Sequence, residues 1–251
     1  MEVLVTFAVD WEFKPWLRLR AFKPDPESRR VFRTKHGEAD VKVLMTGMGP
    51  PNALRAVRES LDEVPDVCIV SGLAGSLKRS HRNCEILAAR AVRSETGTEI
   101  IKSDETLMNM AMECGAKAVP QFISAEQVVR NTGEKSRLGL FADAVDMESF
   151  VTMRELGRLG TPCVAIRSVA DSAEMDIPYD FDRALDGSGR IQIGRILGQV
   201  VRNPWHAWTL TRFGAQSIRA ARSLAQFLDG YLAYLTAHKE RLGSSVQYIS
   251  Q

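Results

Sequence analysis

Short apolar runs alternate along this chain with longer segments that carry helical patterns of apolar and polar residues. The short runs are rich in β-branched residues and predict strands, and the longer segments predict helices. This alternation is typical of a mostly parallel sheet wrapped by helices. The predicted strands are residues 3–9, 41–46, 67–71, 85–90, 119–124, 142–145 and 163–168, and the predicted helices include residues 52–61, 104–113, 150–159 and about 213–237.

The chain length fits one large domain. At 251 residues, the alternation predicts the α/β class: a single three-layer domain over residues 1–251, with a mixed, mostly parallel central sheet flanked by helices. Residues 186–189 indicate a turn, and Asn203-Pro204 indicates a helix break. We therefore expect residues from about 179 to 251 to form a helical C-terminal elaboration packed on this domain.

Composition and charge exclude several classes of protein. A hydrophobic content of 45% and a charged content of 25% are ordinary for a globular protein. With a net charge of +2 and no basic arm, the chain has no general electrostatic attraction to nucleic acid. No apolar run approaches the roughly 18–20 residues of a membrane span, and residues 1–7 lack the features of a signal peptide. We expect a cytoplasmic protein with no nucleic-acid partner.

The cysteines and histidines do not have the spacing of a metal site. There is no Cys-x-x-Cys pair and no Cys/His cluster. Cys68 and Cys163 lie inside apolar runs, where a free cysteine behaves as a small apolar side chain. We therefore predict no metal and no cofactor.

Two predicted strands run into turns rich in glycine and other small residues, at residues 46–53 and 70–77. Small side chains let backbone N–H groups approach a ligand, and the helix that follows Gly49 would favour an anion or a hydroxyl-rich group at its N-terminus. The pattern lacks the third glycine of a dinucleotide-binding fingerprint. Tight turns with no ligand remain an equally good interpretation of both segments.

Carboxylates follow two further apolar runs, at residues 144–149 and 164–171. Because ligands bind at the carboxyl ends of strands in open α/β sheets, we expect Glu148 and Asp171 to reach one crevice. Such a pair suits cleavage of a glycosidic bond, which needs a proton donor and a group that holds the sugar.

Strand alternation would place Asp146 and Glu148 on one side of their strand and Met147 on the other, unless the strand end twists. Buried ion pairs of these acids with Arg167 or Arg154 remain the structural alternative. A third acidic segment, residues 9–13, follows the first strand, and composition alone favours a solvated first turn of a helix there.

In this order, the segments resemble the purine nucleoside phosphorylase and methylthioadenosine/S-adenosylhomocysteine nucleosidase superfamily. The resemblance covers about residues 1–175, and its most specific parts are the Met-Glu motif and the later Asp at their mutual spacing. It implies a nucleoside phosphorylase-like fold. The matching segments are Glu12, Gly47-Met48-Gly49, Gly72-Leu73-Ala74-Gly75, Asp146-Met147-Glu148 and Arg167-Ser168-Val169-Ala170-Asp171.

The resemblance implies a role for each matched residue in cleaving a purine nucleoside. Asp171 would protonate or hydrogen-bond N7 of the purine, and Glu12 would activate water. Glu148 would bind the ribose hydroxyls. The other substrate-binding residues are Met147, which would pack against the sugar, Val128 and Val129, whose backbone would cradle the adenine, and Gly72, Ala74, Met48 and Arg167.

Several differences from the family pattern bear on the reaction. Val128 stands where the nucleosidases usually have a stacking aromatic residue, Leu73 where the family often has Ser or Thr, and Ala170 where it often has Ser. The Gly-Asp-Pro-x-Arg phosphate loop of the phosphorylases is absent near the N-terminus. With Glu12 present, these differences favour hydrolysis over phosphorolysis.

The C-terminal segment resembles one branch of the superfamily, the hopanoid-biosynthesis phosphorylase-like proteins, which are associated with removing adenine from adenosylhopane. Residues 47–50 also fit that branch. Four residues would form an amphipathic surface for a lipid-tailed substrate or a peripheral membrane contact; ordinary helix packing is the favoured alternative. They are Arg202, Trp205, Trp208 and Arg212.

We therefore predict a nucleosidase that releases the free base from an adenine nucleoside of the methylthioadenosine/S-adenosylhomocysteine or adenosylhopane kind. Water is the expected co-substrate, and phosphate is the alternative, in a purine nucleoside phosphorylase that yields ribose 1-phosphate. A non-catalytic nucleoside-binding module is an alternative of another class. Family members form dimers or higher rings in which a neighbour completes the pocket, so we expect a homodimer.

Overall fold

A ten-stranded mixed sheet forms the centre of the computed structural model, which describes residues 1–60, 63–177 and 207–243. The strands are β1 (Glu2–Phe7), β2 (Lys23–Pro24), β3 (Val31–His36), β4 (Ala39–Met45), β5 (Val67–Ser76), β6 (Ile86–Ser94), β7 (Ile100–Lys102), β8 (Lys117–Ser124), β9 (Ala144–Asp146) and β10 (Cys163–Asp171). The helices are α1 (Asp10–Leu19), α2 (Pro50–Ser60), α3 (Glu105–Glu113), α4 (Thr132–Leu138), α5 (Ser149–Arg158), α6 (Ala207–Ala237) and α7 (Glu240–Gly243).

The sheet mixes parallel and antiparallel pairings, and the antiparallel pairs β6–β10 and β5–β9 lie at its centre, so it is less parallel than the sequence predicted. Strand β1 lies parallel to β4 and β5, and β5 lies parallel to β10. At one edge β2, β3 and β4 are antiparallel, and β7 pairs antiparallel with β6. The pairings β5–β10–β6–β8–β9–β5 close into a ring, so Gly75 of β5 is the register partner of both Val145 and Asp171.

Helices cover both faces of the sheet and make three layers. Alternate residues of β1 enter two different cores, because successive side chains of a strand point to opposite faces. Val5 packs in a core that contains residues of α1, α3 and α6, whereas Leu4 packs in a core with residues of α2 and α5. The predicted α/β class with a mixed sheet flanked by helices is therefore confirmed.

All seven predicted strands have a counterpart, but several bounds differ. The largest difference is at residues 70–77, where we expected a turn and β5 instead continues to Ser76. Small residues there do not end the strand, since β5 is sandwiched between β10 and β9 at this point. The sequence analysis did not predict β2, β3 and β7, which are short or half-exposed strands at the sheet edges.

Segment 9–13 forms the N-cap and first turn of helix α1. The helix was the favoured alternative, yet Glu12 is buried and not solvated. Behind it, the fully buried Trp16 packs against Phe13 and Phe22 with ring centroids 6.4 and 4.9 Å apart. This aromatic cluster fixes α1 against the end of β1.

The long helix α6 is anchored by an apolar stripe at helical spacing, with Leu224, Leu228, Leu232 and Leu235 fully buried. Nearby, the hydroxyl of Tyr231 donates a hydrogen bond to the Leu107 carbonyl over 2.7 Å. In the structure, the helix predicted over about residues 213–237 begins earlier, at Ala207, and ends at Ala237, as expected.

Part of the predicted C-terminal surface can be located on α6. Trp208 is 77% exposed, and Arg212 is also exposed. Arg202, Trp205, the turn at 186–189 and the break at 203–204 lie outside the described residues. No helix within the described ranges is long and apolar enough to cross a membrane.

Replacing Leu228 by Ala tests the anchoring of α6. We expect the free energy of unfolding to fall by about 2–5 kcal/mol, because a fully buried leucine leaves a cavity when truncated. The matched control is Ile218→Ala on the same helix, where the side chain is 51% exposed and the change should stay within about 0.5 kcal/mol. Denaturant unfolding followed by circular dichroism measures both, and equal losses would contradict the packing described.

Candidate active site

A cleft opens where the ends of β5, β9 and β10 meet the start of α1, the loop after β8 and the beginning of α6. Its volume is about 780 Å³, counted out to its open mouth. Its walls are mainly apolar, with carboxylates set among them. The acidic residues that line it are Glu12, Asp146, Glu148 and Asp171, and the large apolar ones include Trp11, Met48, Leu73, Met147, Ile177 and Phe213.

Eight of the ten residues predicted from the sequence line this cleft. They are Glu12, Met48, Ala74, Val128, Val129, Met147, Glu148 and Asp171. The other two, Gly72 and Arg167, lie directly behind its wall, where a Cβ on Gly72 would stand 2.2 Å from the Arg167 guanidinium. Trp11 and Phe213 line the cleft but were not predicted.

The predicted alternation around Met147 is wrong. Met147 lines the same cleft as Asp146 and Glu148. The reason is that β9 ends at Asp146, and Glu148 already has helical backbone angles as the N-cap of α5, with φ −119° and ψ −24°. The two-residue period of a strand therefore does not apply beyond Asp146.

A buried guanidinium sits beneath three of the carboxylates. Arg167 donates from Nε to Asp146 Oδ2 at 2.8 Å, from Nη2 to Ser149 Oγ at 2.8 Å, and from Nη1 to the Ser71 carbonyl. Its Nη2 lies 4.0 Å from Glu148 Oε2. Burial alone would lower the pKa of Arg167, but the charges of Asp146, Glu148 and Glu12 raise it. This group therefore stays cationic.

Glu12 is held by backbone donors from two segments. Its Oε1 accepts from Leu73 N at 3.0 Å, and its Oε2 accepts from Ala8 N and Val9 N at 3.2 and 3.4 Å. Burial raises the pKa of Glu12, whereas the Arg167 charge and these N–H groups act in the opposite direction. The carboxylate is thereby fixed in the cleft without a direct ion pair to any residue of the described ranges.

Glu148 takes its hydrogen bond from the glycine turn after β4. Its Oε1 accepts from Gly49 N at 2.7 Å, and Gly49 has a φ of +91°, which favours glycine. We expected the N–H groups of this turn to face a ligand, but this one binds a protein carboxylate. Burial raises the pKa of Glu148 to about 8, against the opposing charge of Arg167.

Asp171 is paired with a lysine that the sequence analysis missed. Lys135 of α4 is completely buried, and its Nζ lies 2.5 Å from Asp171 Oδ2. Burial raises the pKa of Asp171, while the Lys135 charge acts in the opposite direction. Lys135 lies in a polar stretch, residues 131–137, in which no apolar pattern distinguishes it from its neighbours.

The alternative left open by the sequence holds for Asp146 and not for Asp171. Arg167 forms a buried ion pair with Asp146, whereas Asp171 pairs with Lys135. Arg154 lies 3.8 Å from Glu99 in a partly exposed pair and reaches none of the acids in the cleft. The four-residue network of Asp146, Ser149, Arg167 and Ser124 therefore supports the wall of the cleft, which Asp146 itself lines.

Within the described residues, no group of three or more His, Cys, Asp or Glu side chains could hold a metal ion. Cys68 and Cys163 are register partners on β5 and β10, both buried. Burial raises the pKa of the Cys68 thiol well above its usual value. Neither cysteine lines the cleft, in keeping with the predicted apolar role.

Comparison with known proteins identifies a family and several structural neighbours for this chain. The family model described as the Phosphorylase superfamily matches residues 2–202. The 5′-methylthioadenosine/S-adenosylhomocysteine nucleosidase of Campylobacter jejuni is 16% identical, with a TM-score of 0.70 over 93% of this chain and 99% of that one. Futalosine hydrolase of Helicobacter pylori is 18% identical, with a TM-score of 0.71 over 92% and 97%. At such identities the likeness concerns the fold.

Replacing Gly72 by Ala tests the packing of Arg167 behind the cleft. Gly72 has a φ of +145°, and the new methyl group would meet the Arg167 guanidinium at 2.2 Å. We expect a loss of at least about 1–3 kcal/mol in unfolding free energy. Gly157→Ala in α5 is the control, because its methyl group meets nothing within 4 Å and should stabilise by about 0.4–1 kcal/mol. Chemical denaturation would compare them, and an unchanged Gly72 variant would refute the close approach.

Replacing Glu148 by Gln tests its raised pKa. Between its ordinary value of 4.5 and about 8, the folded protein keeps a proton that the unfolded chain has lost, so this carboxyl reduces stability as the pH rises. The variant removes that titration. Its melting temperature relative to the parent protein should increase across this window and level off above it. Glu59→Gln, at an exposed position of α2, is the control for the substitution itself, and a flat Glu148→Gln difference would count against the burial effect.

Proposed function

This chain belongs to the Phosphorylase superfamily, and we propose that it hydrolyses the N-glycosidic bond of an adenine nucleoside and releases the free base. The observation that carries the proposal is the meeting of Glu12, Glu148 and Asp171 in one buried cleft. They come from α1, the start of α5 and the end of β10. Carboxylates with raised pKa values in a cleft favour acid–base chemistry.

Asp171 is proposed to protonate the leaving purine. Breaking the glycosidic bond leaves an electron-poor ribosyl centre, so the base departs more easily when N7 takes a proton. Burial favours the protonated form of Asp171 relative to an exposed aspartate. Val128 and Val129, on the loop after β8, line the same cleft, and their backbone is proposed to hold the adenine ring.

Glu12 is proposed to orient the attacking water and accept its proton. Three backbone N–H groups fix both carboxylate oxygens of Glu12. A base held in this way loses little freedom during the reaction, which is how positioning lowers a barrier. As C1′ gains its new bond to the water oxygen, the water proton passes to Glu12 and the bond from C1′ to the base breaks.

Glu148 and Met147 are proposed to hold the ribose. The hydroxyls of the sugar become more acidic as positive charge develops at the ring, so a hydrogen bond to Glu148 strengthens in the transition state. Met147 supplies an apolar contact for the sugar from the same wall. Met48, Gly72, Ala74 and Arg167 are proposed to support this part of the site.

The charges around the cleft favour water over phosphate. Among the described residues that line it, there is no lysine or arginine. Arg167, behind the wall, already binds Asp146, Ser149 and the Ser71 carbonyl. A phosphate co-substrate would need cationic or bidentate partners of this kind, so phosphorolysis is the less favoured reaction.

The apolar walls bear on the 5′ substituent of the nucleoside. Trp11, Ile177 and Phe213 line the cleft, which suits an apolar group better than a charged one. The two relatives described are named for methylthioadenosine/S-adenosylhomocysteine and for futalosine. We propose a methylthioadenosine-like or adenosylhopane-like substrate, and for the latter the exposed Trp208 of α6 would contact the lipid tail or a membrane surface.

Assembly, location and domain organisation stay predictions. We propose a homodimer in the cytoplasm, with a single domain that includes the C-terminal elaboration. Size-exclusion chromatography with light scattering measures the oligomeric state directly.

Incubating the purified protein with methylthioadenosine, S-adenosylhomocysteine, adenosine or inosine, with and without phosphate, tests the reaction. Free base should appear without phosphate, and Asp171→Asn should lose about 10²–10⁴-fold in turnover, the usual share of one acid or base. Glu12→Gln should lose hydrolysis and still bind nucleoside by calorimetry. Asp40→Asn, at an exposed site, is the control.

Each contrary outcome has a defined meaning. A strict need for phosphate with release of ribose 1-phosphate would make the protein a phosphorylase. Binding of nucleosides without any release of base would make it a binding module. Turnover of Asp171→Asn within about tenfold of the parent would remove Asp171 from the mechanism, since an essential acid contributes at least about 10²-fold.

A further inference from the structure

Lys135 is a buried cation that directly contacts one acid of the cleft. Its side chain is 0% exposed, on the short helix α4. The ammonium donates to Asp171 Oδ2 at 2.5 Å, to the Ser172 carbonyl at 3.1 Å and to the Met175 carbonyl at 2.8 Å. A lysine has three N–H donors, and all three are used. Burying a charge this completely is costly without such partners.

These bonds join two walls of the cleft. Besides the contacts of Lys135, Thr132 N donates to Asp176 Oδ1 at 2.7 Å, and Ile177 N donates to the Arg130 carbonyl at 2.8 Å. The turn after β10 is therefore tied to the start of α4 at several points. Val129 and Ile177, at the two ends of this tie, both line the cleft.

Lys135 is also the one charge that acts on Asp171 among the described groups. From β5 and β9, Asp171 faces the apolar Gly75 and Val145. Glu12, Asp146 and Glu148 also line the cleft, and their charges act on one another and on Arg167 behind its wall. On the turn itself, Glu174 pairs with Arg79, and Asp176 accepts from Thr132 N.

We propose that Lys135 is the positioning residue for Asp171: it holds Oδ2, leaves Oδ1 for the purine, and sets the pH range over which Asp171 keeps its proton. This inference rests on the proposed function. Among the described residues, Lys135 is the only hydrogen-bond partner of the Asp171 carboxylate, through Oδ2, so we assign the proton to Oδ1.

The effect of Lys135 follows from the transfer of a proton from Asp171 to N7 of the purine. When the O–H bond of Asp171 breaks and an N7–H bond forms, a carboxylate charge develops beside the ammonium. An opposite charge placed in advance stabilises that state without reorganisation. Lys135 thereby makes a buried, otherwise weak acid strong enough to protonate the base near neutral pH.

Three variants at Lys135 separate its charge from its hydrogen bonds. Lys135→Gln removes the charge and keeps a donor for the backbone carbonyls, Lys135→Met removes both, and Lys135→Arg keeps the charge. Lys42→Met is the matched control: Lys42 is also buried, and its Nζ donates to the Ser60 carbonyl at 2.6 Å, away from the cleft. Base release from methylthioadenosine or adenosine is followed over pH for each variant, whichever of the two the parent protein cleaves.

In the neutral variants, we expect the fall of kcat/KM at high pH to move upward by about one to three pH units, because the acid stays protonated longer without its cation. The value of kcat should drop at least about tenfold from the loss of positioning, with little change in KM. Lys135→Arg should restore the position of the high-pH limb, and Lys42→Met should not move it. An unmoved limb in Lys135→Gln, or an equal shift in Lys135→Arg, would overturn the proposal.

A second readout does not depend on turnover. Carbon-13 NMR of protein labelled at the aspartate carboxyls reports the titration of Asp171, with Asp171→Asn assigning the resonance. The midpoint should rise in Lys135→Gln and in Lys135→Met, whichever of them folds, and stay in place in Lys42→Met. If the parent protein releases no base, the proposed function fails while this titration still tests the pairing; an unchanged midpoint would refute it.

Discussion

The whole site depends on burying several carboxylates in one cleft without losing the fold. Asp146, Glu148, Glu12 and Asp171 are all at most 7% exposed, and a buried charge is tolerated only when it is paired and hydrogen-bonded. Two buried cations meet that condition from behind the walls. The charge of Arg167 acts on Asp146, Glu148 and Glu12. Lys135 forms an ion pair with Asp171. Asp171 therefore lies in a different electrostatic environment from the other three acids.

The ring formed by β5, β10, β6, β8 and β9 allows these two electrostatic environments to lie in one cleft. Gly75 of β5 touches β9 and β10 at once, which brings the ends of three strands within reach of one ligand. The lack of a side chain at Gly72 lets the Arg167 guanidinium pass beneath the cleft. Backbone N–H groups of the turns then hold Glu12 and Glu148. The glycine-rich segments therefore position acids, and the acids face the cleft.

Separate environments are what acid–base chemistry on a nucleoside requires. An acid that protonates the base and a carboxyl group that holds the sugar can each be tuned to its task only when they lie in different environments. Burial raises the pKa of Glu148 to about 8 beside two other acids, whereas Asp171 has an ammonium 2.5 Å away. The apolar walls keep both effects strong, because electrostatic interactions weaken in water.

The sequence by itself determined the order of the main elements, the α/β class and eight of the residues that line the cleft. Apolar runs of strand length and carboxylates at their ends are local patterns, and the ends of parallel strands share one edge of a sheet. Only the tertiary structure decided the rest. The continuation of β5 past Gly72, the pairing of Asp171 with Lys135 and the approach of Phe213 all join segments distant in the chain, and the position of Met147 depends on where β9 ends. A polar segment such as residues 131–137 carries no periodic signal for which lysine is buried, because its partner is fixed by packing and not by spacing.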